Sequence, residues 1–231
     1  STGQQGSGNK SEKTRQRILD AAARTFRDKG YSGTTLNDIA SAARLRAGSI
    51  YYHFESKEQI LEQVMDIGIR RIFDAVVRDI GAAPPDSTPS EKIRIGIEAH
   101  LRTLLQHGPY SSANIRIFGQ LPRAVQRENL KLRSSYADVW RDLLTDAREA
   151  GEIDKNFDLS LIRMFLFGAL NWTVEWYKPG KRTLREFADE VCAILFQGVG
   201  GEHPMDPDDD PDDDRDQTRP LQNELPREPT P

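Results

Sequence analysis

RLRAGSIYYHFESKEQI, residues 44–60, sets two arginines before a Gly-Ser pair and two adjacent tyrosines before a histidine. A core helix has no use for so many polar groups, and a merely solvated helix has no use for the aromatics. Leu45, Ile50 and Phe54 are spaced to face a small core, which leaves Arg46, Ala47, Ser49, Tyr51, Tyr52 and His53 for other faces. Upstream, Ile18, Leu19, Ala22, Ala23 and Phe26 predict a helix over 11–29, with Ser11 as cap and Gly30 as left-handed stop. Thr35 and Asp38 have the spacing of a capping box opening a second helix, with Leu36, Ile39, Ala40 and Ala43 inward. A turn at 44–46 leads to a third helix over 47–54, and Ser56 caps a long fourth helix from 57 to about 80. Three helices in about fifty residues, the last two short and tightly joined, predict a helix-turn-helix whose third helix enters a DNA major groove.

The charge distribution supports a polyanionic partner. Residues 1–60 carry ten Lys/Arg against six Asp/Glu, residues 61–200 carry nineteen of each, and residues 201–231 carry three against eleven. The overall net charge of −4 therefore conceals a basic front, a neutral body and an acidic tail. The single cysteine, Cys192, excludes an internal disulfide framework, and its apolar setting reads as packing rather than reactivity. Residues 1–10 have no apolar stretch and read as a flexible arm. The longest apolar run, 159–177, is broken by Arg163, Asn171 and Glu175, so it reads as a buried helix and not a membrane span. A cytoplasmic protein is the expectation.

The rest of the chain is also helical by its periodicity, over about 90–106, 112–119, 123–149, 158–177 and 184–198, with Gly and Pro between the segments. Alternating strand patterns and internal repeats are absent, so the fold class is all-α with about nine helices. The acidic, Pro-rich residues 201–231 read as disordered. An enzyme is disfavoured by its missing parts: no phosphate loop, no Gly-x-Ser-x-Gly, no triad and no metal-ligand set. His100 and His107 share a helix face, but without further ligands they predict no metal, and no cofactor is expected.

The run RILDAAARTFRDKGYSGTTLNDIASAARLRAGSIYYHFESKEQILEQV, residues 17–64, resembles the DNA-binding domain of the TetR family of transcriptional regulators. The resemblance lies in Phe-x-x-x-Gly-Tyr, Thr-Thr, Ile-Ala and Gly-Ser-Ile-Tyr-Tyr-His-Phe followed by Ser-Lys-Glu. It implies a homodimeric regulator, most simply a repressor of a palindromic operator, released by a small apolar or amphipathic effector. The domains would be an arm (1–10), the helix-turn-helix (11–56), a ligand-binding and dimerisation domain (57–200) and the tail (201–231). A rival reading keeps the fold but makes the chain an adaptor acting through a protein partner rather than DNA.

Carried over residue by residue, the resemblance assigns phosphate contacts to Thr35, Tyr52, His53 and Lys57. Arg46, Arg44, Ala47, Ser49 and Tyr51 are left to meet bases or phosphates, Arg46 having the fork that matches guanine. Each has a plainer role available: a propping aromatic for Tyr52, a cap for His53, a solvated residue for Lys57. The turn departs from the family pattern, which often has Gly where Arg44 stands and a capping Ser where Arg46 stands. Phe73, His100, Leu104, His107, Phe118, Trp140, Phe167, Trp172 and Trp176 are candidates to line an effector cavity, and equally candidates for ordinary core. Leu184, Phe187, Val191, Ile194 and Leu195 exceed what one inner face needs and are the expected dimer contacts. NWTVEWYKPGKR, residues 171–182, resembles regulators of lipid, steroid or acyl-CoA breakdown, which suggests a fatty acyl-CoA effector whose phosphates would meet Lys178, Lys181 or Arg182.

Overall fold

In the computed structural model the helical periodicities become nine α-helices, described over residues 4–199 except His107, Pro179 and Lys181, and without the side chains of residues 4–9 and Val199. In chain order they are α1 (Gln4–Lys29), α2 (Leu36–Ala42), α3 (Ala47–Tyr51), α4 (Lys57–Gly81), α5 (Pro89–Gln106), α6 (Pro109–Ile117), α7 (Arg123–Glu149), α8 (Leu159–Trp176) and α9 (Leu184–Val199); a 3-10 turn, Phe118–Gln120, joins α6 to α7. No strand occurs among the described residues. The acidic tail lies outside them.

Local chemistry sets most boundaries. The Thr35 hydroxyl accepts from Asp38 N while the Asp38 carboxylate accepts from Thr35 N, a closed capping box. Ser56 caps α4 by accepting from Gln59 N. Gly30 ends α1 at φ 73, where a side chain would be strained. Three expectations change. Helix α1 starts at Gln4, so Ser11 is an interior residue rather than a cap, and the proposed arm is helical from Gln4 onward. Once the half of a helix that packs in a core is formed, each added residue costs little. Helix α3 ends at Tyr51, with Tyr52 as its C-cap, and His53 N and Phe54 N still bond back to Ile50 O beyond it. Helix α6 begins at Pro109 rather than 112: Gly108, at φ 105, reverses the chain, and proline needs no amide partner in a first turn.

Two apolar clusters hold the fold. The second lies wholly in the body, around Ile72, Ile97, Leu101, Trp140, Leu144 and Leu170. The first crosses the expected boundary after residue 56: Ile18, Phe26, Ile39, Ile50 and Phe54 share one core with Leu61, Met65, Tyr110, Ile117 and Val125. Tyr110 is almost fully buried; its hydroxyl donates to Asp20 on α1 at 2.7 Å and accepts from Gln16 at 3.1 Å. Gln120 adds a second tie, accepting from Tyr31 N at 3.2 Å. The helix-turn-helix is thus bonded to α6 and to the turn that follows it, besides being continued by α4.

The α4–α6 crossing depends on Gly68, where an added Cβ would stand 2.6 Å from Tyr110 O and 2.9 Å from Asn114 Cβ. Gly68→Ala is expected to destabilise the chain by about 1–3 kcal/mol through overpacking. Urea unfolding would read this as a lower midpoint at unchanged slope.

Candidate DNA-reading face and effector cavity

The turn before α3 displays its cations because the backbone there is unusual. Arg44 has φ 54, the conformation glycine adopts freely, and Arg46 is the N-cap of α3 without a capping hydrogen bond. Both arginine side chains are exposed, as are Tyr51 and Tyr52, the latter at 82%. Tyr52 meets the half-buried His53 ring edge-on at 5.1 Å, while Ala47 and Ser49 are partly covered. Arg44, Arg46, Tyr51 and Tyr52 are therefore exposed in or beside α3, while Ala47, Ser49 and His53, also expected on its outer faces, are partly covered.

Thr35 and Lys57 also have partners within the chain. The exposed Thr35 hydroxyl is held in the α2 cap. The Lys57 ammonium donates to Tyr31 O at 3.1 Å and Thr34 O at 2.9 Å and lies 4.1 Å from the centre of the Tyr31 ring. A lysine opening a helix opposes the dipole, and these two carbonyls offset that cost without any anion. Two of its three donors are used, so at most one is free for phosphate. Tyr31 is also bound through its hydroxyl to Glu58, and burial together with that carboxylate pushes the phenol up to about 12.

Sequence reasoning missed the basic residues behind the turn. Arg17, Arg24 and Arg44 line one small depression, and Arg17 donates to Ala43 O at 2.8 Å. The signal was available, since Arg17 and Arg24 stand two helical turns apart on one side of α1.

A cavity of about 370 Å³ opens in the body, lined by Ile69, Ile72, His100, Ile115, Leu130, Arg133, Ser134, Tyr136, Ala137, Arg141, Arg163, Phe167 and Asn171. Of the residues expected there, only His100 and Phe167 line it. Phe73 packs against Tyr136, and the fully buried Trp140 stands edge-on to both Tyr136 and Phe167, behind the wall. Phe118 belongs to the other core cluster, beneath Arg133. Leu104 lines a separate depression with Tyr177. Trp172 and Trp176 are 66% and 50% exposed on α8, so they are surface rather than lining. His107 lies outside the described residues. Aromatic type suggested all of these; which face each occupies depends on packing.

His100 and Tyr136 form the buried polar part of the cavity wall. His100 Nδ1 and the Tyr136 hydroxyl are 2.8 Å apart, and Tyr136 stacks on Phe167. His100 Nε2 and Asn171 Oδ1 are buried without a hydrogen-bond partner. Burial pushes the His100 imidazole down to about 4, a shift that neighbouring Asn171 opposes without closing a hydrogen bond. Burial also raises the Tyr136 phenol strongly. The anticipated phosphate partners are elsewhere: Lys178 and Arg182 do not line the cavity, Arg182 pairs with Glu190, and Lys181 is outside the described residues.

The expected dimer contacts also divide. Leu184 and Leu195 are buried in the chain's own core, and Phe187 and Val191 pack partly against it. Ile194 is 69% exposed. The larger uncovered apolar surface is on α8, where Leu161, Met164, Phe165, Trp172 and Trp176 lie outward along one stripe, with Gly168 uncrowded among them. A helix apolar on two faces does not reveal which face its own chain covers. No helix among the described residues is long and apolar enough to cross a membrane, and no group of three or more His, Cys, Asp or Glu there could hold a metal ion.

Two outcomes are expected. Arg44→Gly should stabilise the isolated protein by about 1 kcal/mol, by relieving the left-handed backbone, yet weaken DNA binding; calorimetry and a DNA titration read the two separately. His100 is neutral when folded down to about pH 4, while an unfolded histidine takes up its proton near 6.5. Its contribution to stability therefore falls as pH drops from about 6.5 to about 4, and His100→Gln should flatten that part of the melting-temperature profile.

The comparisons agree with this geometry. The model of "Bacterial regulatory proteins, tetR family" matches residues 18–64, and that of "Tetracyclin repressor-like, C-terminal domain" matches residues 86–199. The HTH-type transcriptional repressor KstR2 of Rhodococcus jostii is 28% identical, covering 82% of this chain and 92% of its own. The fatty acid metabolism regulator protein of Bacillus subtilis is 27% identical, covering 79% and 93%. Among solved structures, superantigen PfiT is 33% identical with a TM-score of 0.65, covering 78% and 95%. With both halves of the family architecture matched in order, and the helix-turn-helix and helical body built as described, this chain belongs to the TetR family of bacterial transcriptional regulators.

Proposed function

We propose that this regulator is a homodimeric repressor that binds an inverted-repeat operator and is released by an amphipathic effector of the fatty acyl type. The observation that carries the reading is the union, in one chain, of an outward-facing α3 cluster and a body cavity connected to it by the α1–α6 contact. Arg46 and Tyr51 are assigned to base edges, Arg44 and Tyr52 with Arg17 to phosphates, and Lys57 chiefly to holding the α1–α2 turn against α4. Repression and the fatty effector class are supported by the names of the R. jostii and B. subtilis relatives.

The α8 stripe, together with Ile194 on α9, is proposed as the dimer face. So much exposed apolar surface calls for a partner, and two copies related by a two-fold axis would bury it symmetrically. A symmetric dimer then presents two α3 helices to two half-sites, about one helical turn apart.

Selection of bound duplexes from a random DNA pool tests the proposal. An enriched inverted repeat is expected, and Arg46→Ala should relax preference at one position of each half-site. Phe165→Asp should give a monomer in sedimentation and lower operator affinity at least about tenfold, the two-site contact being lost. A dimer persisting in that variant would remove α8 from the interface, and binding without enrichment would remove the operator.

A further inference from the structure

The cavity wall contains a cation that no carboxylate among the described residues pairs with. Arg133, on α7, donates from Nε to Asn129 Oδ1 at 2.9 Å, and from one terminal nitrogen to Asn114 O at 3.1 Å and to Asn114 Oδ1. Its guanidinium carbon lies 4.0 Å from the centre of the Phe118 ring. All these acceptors are neutral. Among the described residues neither Arg133 nor Arg163 pairs with a carboxylate, whereas Arg141 pairs with Asp138. The cavity lining contains these three arginines and no acidic side chain. Burial pushes the Arg133 guanidinium down to about 10, which still leaves it charged at neutral pH. A half-buried cation without an anion beside it is poorly compensated, and a cleft of one sign concentrates ions of the other.

We propose that Arg133, assisted by Arg163, receives an oxyanion carried on an apolar chain, the acid end of the effector. The assignment rests on the reading that this cavity is the effector site. Ile69, Ile72 and Phe167 provide the apolar wall on which the chain lies. A volume of about 370 Å³ is near the lower end for organic ligand sites, roughly 300–1,000 Å³. A whole coenzyme A conjugate therefore leaves its nucleotide outside, and the oxyanion is either a free carboxylate or a conjugate's phosphate.

The position of Arg133 gives its occupation a consequence. Asn114, which accepts from Arg133 on one side, donates from Nδ2 to Met65 O on α4 at 2.7 Å. An oxyanion that draws the guanidinium into the cavity competes with Asn114, the residue linking the wall to α4. Helix α4 begins at Lys57, against the helix-turn-helix.

Titration calorimetry of the full chain with dodecanoate, dodecanoyl-CoA and dodecanol tests the assignment. At least one anionic probe should bind about tenfold or more tightly than dodecanol, as a charge-assisted pair requires. Dodecanoate binding identifies the carboxylate as the source; binding by the thioester alone identifies the phosphate. Arg133→Gln removes the charge and leaves an amide donor, so it should abolish the preference for the anionic probe over dodecanol. Should that variant fail to fold, a crystal structure of the wild-type chain with the preferred probe must place an anionic oxygen in hydrogen-bond reach of Arg133. Equal binding of dodecanol and both anions, an undiminished preference in folded Arg133→Gln, or an oxyanion seated elsewhere overturns the assignment while leaving the cavity reading intact. Absence of binding by all three overturns the cavity reading and the assignment with it.

Discussion

The phenol of Tyr110 sits where two parts of the chain share a single apolar core, and its two hydrogen bonds to Asp20 and Gln16 tie them together within it. A buried hydroxyl without partners is costly, so Tyr110 favours the arrangement in which α1 lies alongside α6. Burial and the Asp20 carboxylate raise its titration well above the ordinary phenol range, which keeps it a donor at any physiological pH. Gly68 lets α4 approach the same turn of α6 closely enough for Ser111 and Asn114 to bond the α4 backbone. Helix α6 is thereby fixed to both the first helix of the DNA-reading unit and the long helix leaving it. Helix α6 and the unit thus share one close-packed core.

Much of this was legible in the sequence where the determinants are local. Caps at Thr35 and Ser56, the stop at Gly30 and the cost at Arg44 follow from a few neighbouring residues, and the helices between them follow from apolar spacing. The cavity was less legible. Trp172 and Trp176 look like pocket aromatics by type, yet they share a face with Leu161, Phe165 and Gly168, and a period of three to four identifies a face without saying what covers it. Leu184 and Ile194 belong to the same apolar helix, and only packing against the chain's own core, chiefly α5, separates the inward residue from the outward one. Arg133 left no signal because a charged residue is read as solvated by default.

The DNA-reading face and the cavity share one habit. Each retains groups that a purely stabilising sequence would replace: a left-handed arginine in the turn, an unpaired imidazole nitrogen and a guanidinium facing neutral acceptors. Places where local rules are broken without local compensation are where function is concentrated in a folded chain.

The three tryptophans occupy unlike settings. Trp140 is sealed behind the cavity wall with its indole nitrogen unpaired, while Trp172 and Trp176 lie largely exposed on α8. An indole in a dry aromatic nest emits at shorter wavelength than one facing water. The chain therefore carries its own optical labels for two separate events: changes at the cavity perturb the blue component from Trp140, and covering of α8 shifts the red component from the other two. Occupancy and association can be followed in the same cuvette without attaching a dye.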